Sequence, residues 1–455
     1  MTGGGGVSGS GNGGLGFGHA GAGGSGADGF GIGDAGAGGA GIGDSGVGEA
    51  GGAGNGGSGV GRAGADGYGV GGVLRVVGSS AAVRLVPGDT GLVLEPTRER
   101  PGDLWIGPGW VDLHAHVYDG MTVISVPPDR AGLDQGVHVV ADAGSAGQAT
   151  IDGLARYVVP AAETEIRAWM NIGSYGLVHL RETADPSFID VDATLTAIER
   201  HRGLVCGVKV RSSGAVVGAM GLQPLQLGRL VARQAGLPLL VHVGEAPPLI
   251  EDVLDLLDEG DVITHCYHGK TGHPWRPDGT PVPALARALD RGVLLDVGHG
   301  AASFSFDVAE RAIAAGFPPH SISTDIHVRN IGGPVHDLAT TITKLLACGL
   351  PLENAITAVT AAPRRVLRVD SPDSEWLADN GAIRHATVFR LTGDATESRP
   401  TGGATEFGLV GETERVYVDS RGTHREPTHH VLPVTTIREG RLRPTEPRHR
   451  STTRT

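Results

Sequence analysis

Two histidines one residue apart, His114 and His116, are the strongest local signal for chemistry in this chain. They end the apolar segment 110–116, whose composition is typical of a β-strand. Residues two apart on a strand point to the same face, so both imidazoles can reach one metal ion. Such a pair is weak evidence alone, because this spacing also arises by chance.

Three further side chains able to bind a metal end other strand-like segments: His242, His265 and Asp325. The carboxyl ends of the strands in a barrel meet at one face, where barrel enzymes carry their active sites. We therefore expect the three side chains to converge with the histidine pair. For either histidine alone, a hydrogen-bonded residue of the core is the alternative interpretation, but the full set favours a metal site.

Lys209 lies inside the apolar segment 205–211 and is one of three lysines among 37 basic residues. An arginine stays protonated, whereas burial lowers the pKa of a lysine, and its neutral amine can add CO2. The resulting carbamate is an anion able to bridge two metal ions. The alternative is a lysine paired with a nearby carboxylate such as Asp325.

The elements that must position these residues alternate regularly along the chain. Short apolar segments and helix-compatible segments follow one another, as in repeated βα units with a parallel sheet. The pattern predicts an α/β fold, a (β/α)8 barrel, with strands over 110–116, 137–142, 167–172, 205–211, 238–243, 262–266, 293–297 and 321–326. Helices are predicted over 222–235, 249–257, 282–291, 306–315, 337–348 and 352–359.

The segments on either side of the barrel, which we assign to 105–366, differ in composition. Residues 1–72 hold 36 of the 77 glycines and are predicted to be a disordered tail. Short β-like segments occur in 73–104 and in 367–440, and we expect these two regions to form one small β-sandwich domain. Residues 441–455 are predicted to be a polar tail.

Composition limits the partners of the protein. The 455 residues carry a net charge of −13, which argues against binding to nucleic acid. Three cysteines give no disulfide framework, and no apolar segment has the roughly 20 residues of a membrane helix. We expect a cytoplasmic protein that binds a small molecule and no membrane, with assembly into a homo-oligomer left open.

The order of candidate ligands resembles the amidohydrolase superfamily, in its binuclear branch with a carboxylated lysine. Five stretches also resemble the amidohydrolase/deacetylase group, which is often described as dihydroorotase-like. These stretches are residues 141–147, 207–211, 264–269, 296–300 and 323–327. The resemblance covers about residues 105–366, so it supports the barrel and its site and says less about the flanking segments.

This resemblance implies a ligand set and a reaction. His114, His116 and Asp325 would hold one divalent metal ion, His242 and His265 the second, and carboxylated Lys209 would bridge the two. Zinc is the metal we expect, since imidazole and carboxylate ligands suit it. A hydroxide bridging the metals would attack the acyl carbon, and Asp325 would act as the catalytic proton carrier. The expected reaction is deacetylation of an ester or amide of a small substrate that bears a carboxylate.

Three residues are candidates for substrate contacts. Arg211 shares a strand face with Lys209 and could grip a carboxylate, while His299 and His268 follow the seventh and sixth predicted strands. For both histidines, support of the metal ligands is the alternative. Two other functions stay open: a cyclic amidase like dihydroorotase, and a catalytically silent barrel that serves in assembly.

Overall fold

The computed structural model describes residues 70–369, 376–393 and 416–446. The predicted disordered tail lies outside the described residues except for its last three positions, and the polar tail lies outside them from residue 447 onward. Within the described ranges no helix is long and apolar enough to cross a lipid bilayer.

The strands of the described chain are numbered in chain order. They are β1 Leu74–Val76, β2 Ala82–Pro87, β3 Leu92–Pro96, β4 Leu104–Pro108, β5 Trp110–Ala115, β6 Val137–Gly147, β7 Glu165–Asn171, β8 Val205–Ser212, β9 Leu239–Val243, β10 Val262–Thr264, β11 Leu294–Asp296, β12 His385–Thr392, β13 Tyr417–Val418, β14 His424–Arg425, β15 His430–Arg438 and β16 Arg441–Pro444.

The helices are mostly short and lie between the strands of the larger sheet or after it. They are α1 Pro128–Ala131, α2 Ile151–Gly153, α3 Val191–Arg200, α4 Gly214–Val217, α5 Gln223–Ala235, α6 Ile250–Asp255, α7 Pro283–Asp290, α8 Phe306–Ala314, α9 Leu338–Ala347, α10 Leu352–Thr357 and α11 Ala361–Leu367. Single turns of 3-10 or π helix occur at Leu133–Gln135, Leu154–Val158, Val159–Ala161, Gly176–Val178, Pro186–Phe188 and Gly218–Met220.

A curled parallel sheet of seven strands, β5 to β11 in chain order, forms the centre of the fold. The predicted eighth strand, 321–326, is instead an extended segment with one parallel bridge to each edge of this sheet, Ser321 to Asp296 and Ile326 to Ala115. The backbone leaves strand geometry at Asp325, where φ is +49°. The segment therefore contacts both edges of the sheet but lacks the continuous series of bridges that a regular strand forms with its neighbours.

Two apolar layers hold this sheet. Its inner face buries large side chains against one another, among them Val111, Leu113, Trp169 and Leu240, and α11 adds Leu367 to the same cluster. The outer face packs against the surrounding helices. Because the strands are covered on both faces, they read as nearly continuous apolar segments, and every residue of β6 is buried.

The flanking segments form one seven-stranded sheet in the order β16-β15-β12-β4-β1-β2-β3, and the predicted sandwich arrangement of this small domain stays a prediction. One face buries an apolar cluster that includes Leu74, Ile106 and Ile437. The other face meets the larger sheet, where the ring of Phe389 lies 5.5 Å from that of Trp110.

Three short segments depart from the predicted layout. The strand β4 begins one residue before the predicted start of the barrel and pairs with β1 and β12 of the small sheet. The first four residues of the predicted polar tail form β16, which pairs with β15. The hairpin β13–β14 pairs with neither large sheet. It lies against α8, where Phe306 N donates to Asp419 Oδ2 at 2.9 Å.

Candidate metal centre

The carboxylate of Asp325 lies between the two histidines that end β5. Its Oδ1 is 3.2 Å from His114 Nε2 and 2.9 Å from His116 Nε2. A ligand atom of His265 joins those of His114 and Asp325 within 4.8 Å of one another. Side chains that follow β5, β10 and the 321–326 segment thus meet at one point near the carboxyl ends of the strands, as the sequence predicts.

Hydrogen bonds assign which ring nitrogen of His114 carries the proton. Its Nδ1 lies 2.9 Å from Thr264 Oγ1, and that hydroxyl donates its own proton to Asp296 Oδ2 at 2.7 Å. The Thr264 oxygen therefore accepts from His114 Nδ1–H, which leaves a lone pair on Nε2. An imidazole oriented in this way by an outer partner is the usual form of a metal ligand.

His265 is oriented by the main chain. Its Nδ1 donates to Gly298 O at 2.5 Å, so the lone pair again falls on Nε2. Burial lowers the pKa of His265 to about 4, and burial together with the nearby ammonium of Lys209 lowers the pKa of His114 well below its ordinary value. Both rings are neutral near pH 7, which is the form that binds a metal. The donor set therefore fits divalent cations.

The other two predicted histidines differ in how they are held. His116 Nδ1 lies 3.0 Å from Ser145 Oγ, and Asp142 fixes Ser145 by accepting its backbone N–H at 2.8 Å. His242, on β9, packs its ring edge-on against His265 with centroids 4.5 Å apart. Burial and the neighbouring imidazole of His265 lower the pKa of His242 well below its ordinary value.

Lys209 is fully buried, and its Nζ lies 3.2 Å from His114 Nε2. Burial lowers the pKa of this amine to about 7, although the negative charge of Asp325 acts in the opposite direction. A large fraction of the side chain is therefore neutral near pH 7, and its nitrogen lies beside the candidate ligands.

Asp325 and His265 both have a left-handed backbone, with φ of +49° and +67°. The Asp325 carbonyl accepts from Asn330 Nδ2 at 2.8 Å, which holds the segment after it. Burial acts to raise the pKa of Asp325, but the adjacent His114 and His116 lower it well below its ordinary value. The carboxylate is therefore ionised at neutral pH and can accept a proton.

Sequence reasoning missed the buried carboxylates behind the ligands: Asp112, Asp142 and Asp296. Asp112 accepts from Thr324 Oγ1 at 2.5 Å and from the backbone N–H of Thr324 at 3.1 Å, and so ties β5 to the segment that carries Asp325. Burial raises its pKa to about 7. The available signal was position: each aspartate interrupts or ends an apolar strand, where a charge needs a specific partner.

The structure gives the predicted substrate-binding residues other partners. Arg211 forms a two-pronged ion pair with Glu182 through Nε and Nη2, and its predicted contact with a substrate carboxylate stays a prediction. His299 is fully buried; its Nε2 accepts from Lys344 Nζ at 2.9 Å, and its Nδ1 donates to Gly300 O. It therefore supports the strand ends. Of the three, only His268 keeps an unused ring nitrogen, Nε2, which is buried and without a hydrogen-bond partner.

Comparisons with known proteins agree with this fold. No family model matches the chain. A deacetylase of Agrobacterium fabrum is 42% identical over 302 residues, which cover 66% of this chain and 74% of that protein. A deacetylase of Brucella anthropi is 40% identical over 331 residues, with coverage of 72% and 82%. One from Enterococcus faecalis is 34% identical over 356 residues, with coverage of 78% and 90%.

Two solved structures share the fold with a TM-score of 0.70. One is of a dihydroorotase, 36% identical, and the other is of an adenine deaminase, 29% identical; each match covers 82% of this chain and 98% of the solved chain. A curled parallel sheet with imidazole and carboxylate groups gathered where its strands end is the architecture of a metal-dependent hydrolase. On identity over most of the length of these relatives, the chain belongs to the amidohydrolase superfamily.

Proposed function

We propose that this protein is a binuclear metal hydrolase. It removes an acyl group, for which acetyl is our first choice, from an ester or amide of a small substrate that bears a carboxylate. The observation that carries the proposal is the position of the buried Lys209 amine, 3.2 Å from His114 Nε2 and beside a carboxylate shared by two histidines. Three relatives named deacetylases support the choice of reaction.

In this proposal His114, His116 and Asp325 hold one metal ion, and His242 and His265 hold the second. Imidazole and carboxylate ligands suit zinc, our first choice, and also manganese. When bound, the two cations supply a water acidic enough to attack near neutral pH and polarise the acyl carbonyl. The outer partners Thr264 and Ser145 keep the histidine rings in their binding orientation.

Lys209 supplies the bridging group. Its neutral amine attacks the carbon of CO2, so that an N–C bond forms while one C=O π bond breaks and its electron pair moves to oxygen; one proton then passes from the nitrogen to water, which gives a carbamate anion. The pKa of about 7 means that this amine is available without a separate base at neutral pH. The carbamate places negative charge beside two cations, which offsets the cost of burying it.

Asp325 moves the proton. Its low pKa keeps it ionised, so it can take a proton from the attacking water and then hand it to the departing alcohol or amine. Asn330 and the left-handed backbone at Asp325 hold the carboxylate in the position from which it does so.

A cyclic amidase is the second candidate function, because the solved dihydroorotase is 36% identical to this chain. Opening a cyclic amide and cleaving an acetyl group need the same attack on a carbonyl and the same proton transfer. The two candidates differ only in the substrate groups that the mouth of the site recognises.

The test combines metal content with a substrate panel. The protein is purified in the presence of zinc and bicarbonate, and its metal is measured by elemental analysis for the wild type and for Lys209→Ala. We expect about two equivalents in the wild type and a sharp fall in the variant. The control is Lys270→Ala, since the Lys270 amine pairs with Glu245 at 2.6 Å and its loss is expected to leave the metal in place.

Acetyl esters and acetyl amides of small acids are then compared with cyclic amides as substrates. Faster turnover of the acetyl compounds supports the deacetylase. Turnover of the cyclic amides alone would replace it by the cyclic amidase, and wild-type protein without metal would overturn both.

A further inference from the structure

The hairpin β13–β14 comes from the region after the barrel, yet its turn lies against the candidate site. Ser420 N donates to Phe304 O at 3.1 Å, and Ser420 Oγ donates to Gly300 O at 2.9 Å. Gly300 in turn touches Asp325: its φ is +56°, and a Cβ placed on it would lie 2.5 Å from Asp325 Oδ2. Only one residue therefore separates the hairpin turn from the candidate proton carrier.

Lys344 anchors the hairpin to its neighbouring segments. This buried amine on α9 donates to Val418 O at 2.7 Å, to Pro334 O at 2.6 Å and to His299 Nε2 at 2.9 Å. The three acceptors belong to the hairpin, to the loop before α9 and to the segment after β11. The buried Lys344 side chain thus joins the hairpin to the segment after β11 and to the loop before α9.

Asp419 fixes the shape of the turn. Its Oδ1 accepts from the backbone N–H of Arg421 at 2.7 Å and of Thr423 at 2.8 Å, and its Oδ2 accepts from Phe306 N. The turn therefore holds the backbone of Arg421 in one place relative to α8.

The Arg421 side chain lies along the loop that follows His265. A Cβ on Gly269 would lie 3.2 Å from Arg421 Cγ and 3.3 Å from Cδ. The guanidinium is exposed, and within the described residues no carboxylate pairs with it. Arg211 differs from Arg421 in this respect, because its guanidinium is paired with the carboxylate of Glu182.

His268, on the same loop, presents a second unused donor. Its Nδ1 accepts from Lys270 N at 3.2 Å, which leaves the proton on Nε2. That nitrogen is buried and has no acceptor among the described residues. A buried N–H without a partner is uncommon, and it is satisfied when a bound molecule supplies an oxygen.

We propose that the hairpin β13–β14 is part of the active site, and that Arg421 with His268 binds the carboxylate of the substrate. This inference rests on the proposed function and names the groups that would give it preference for anions. Arg421 supplies the charge and His268 Nε2–H a directed hydrogen bond, a pairing that recognises a carboxylate rather than a neutral amide.

The test uses one anionic and one neutral substrate that share the same scissile bond: an O-acetyl-2-hydroxy acid and its primary carboxamide. For Arg421→Met we expect the KM of the acid to rise about 10- to 100-fold, as for loss of a hydrogen bond between charged groups. The kcat for the acid, and both constants for the carboxamide, should stay near wild type. Arg421→Lys should restore part of the loss, because it keeps the charge without the fork.

The matched control is Arg276→Met, which removes the same charge from another exposed position on the loops after β10. An equal rise of KM in this control would mean general electrostatic attraction and would overturn the role of Arg421, as would equal losses on acid and carboxamide. If the wild-type protein hydrolyses neither acetyl substrate, the proposed function fails instead.

Discussion

The guanidinium of Arg211 is joined to the carboxylate of Glu182 by two parallel hydrogen bonds, Nε to Oε1 at 2.7 Å and Nη2 to Oε2 at 2.5 Å. The Glu182 side chain is completely buried and that of Arg211 is 18% exposed. Nη2 also donates to Leu180 O at 2.7 Å. The pair therefore fastens the loop after β7 to the end of β8, next to the candidate metal centre.

Removing the arginine of this pair should destabilise the fold. Arg211→Met leaves Glu182 buried without a partner, and we expect a loss of about 3–5 kcal/mol in the free energy of unfolding, measured in urea. Arg287→Met is the control, because its pair with Asp255 is more than half exposed on both sides and should contribute less than about 1 kcal/mol. Equal losses in the two variants would contradict a structural role for the Arg211 pair.

Asp325→Asn should separate metal binding from turnover. The amide keeps an oxygen where Asp325 Oδ1 stands but cannot accept a proton, so kcat should fall by about 10²- to 10⁴-fold while most of the metal is retained. Steady-state kinetics and elemental analysis of the same preparation check both parts. Full activity in this variant would refute the assignment of Asp325 as the proton carrier.

Thr264→Val should weaken metal binding although Thr264 is not itself a candidate metal ligand. The change removes the acceptor of His114 Nδ1–H and the donor to Asp296, and we expect affinity to drop about 10- to 100-fold, measured by competition with a chelator. Thr194→Val is the control, since it also removes a buried hydroxyl, bonded to Asp190 O at 2.6 Å in α3. If both variants bind metal equally well, the orienting role of Thr264 is wrong.

His138, where the larger sheet meets the small one, should make stability depend on pH. Burial and the neighbouring His385 lower its pKa to about 3, below the value of about 6.5 in an unfolded chain. As pH falls from 6.5 towards 3, the unfolded chain binds a proton that the folded chain does not, so stability is lost. His138→Gln should reduce this slope by at most about 1.4 kcal/mol per pH unit. Unfolding measured from pH 7 to 4 that shows an unchanged slope would contradict the prediction.

The order of elements was readable from the sequence because apolar segments and amphipathic helices alternate. The helix predicted over 222–235 is observed as Gln223–Ala235, and the strand predicted over 205–211 as Val205–Ser212. The predicted eighth strand is irregular: the 321–326 segment makes backbone hydrogen bonds to both edges of the sheet, such as Val297 N to Ser321 O, but its backbone turns left-handed at Asp325, which an apolar pattern does not show. The small β domain was predicted from its short β-like segments and is observed as one seven-stranded sheet, while its arrangement as a two-layer sandwich stays a prediction.

The candidate site was predictable to the extent that residue type and strand position decide it. The structure brings together His114, His116, His265 and Asp325, whose roles as metal ligands stay predictions. The partner of Arg211 was not predictable, since Glu182 lies in an irregular loop with no periodicity to place it. The position of Arg421 was not predictable either. It lies in a turn after the barrel, and no pattern in the sequence indicates that this turn packs against the loops at the ends of the barrel strands.

The left-handed backbone at His265 and Asp325 has a consequence for how such a chain evolves. A residue other than glycine in this conformation costs about 1–3 kcal/mol, which folding alone does not require. A lineage released from catalysis would gain thermal tolerance by letting glycine drift into either position. Stability and the candidate site are therefore opposed at these two positions, because glycine, the residue that relieves the strain, has no side chain to bind a metal.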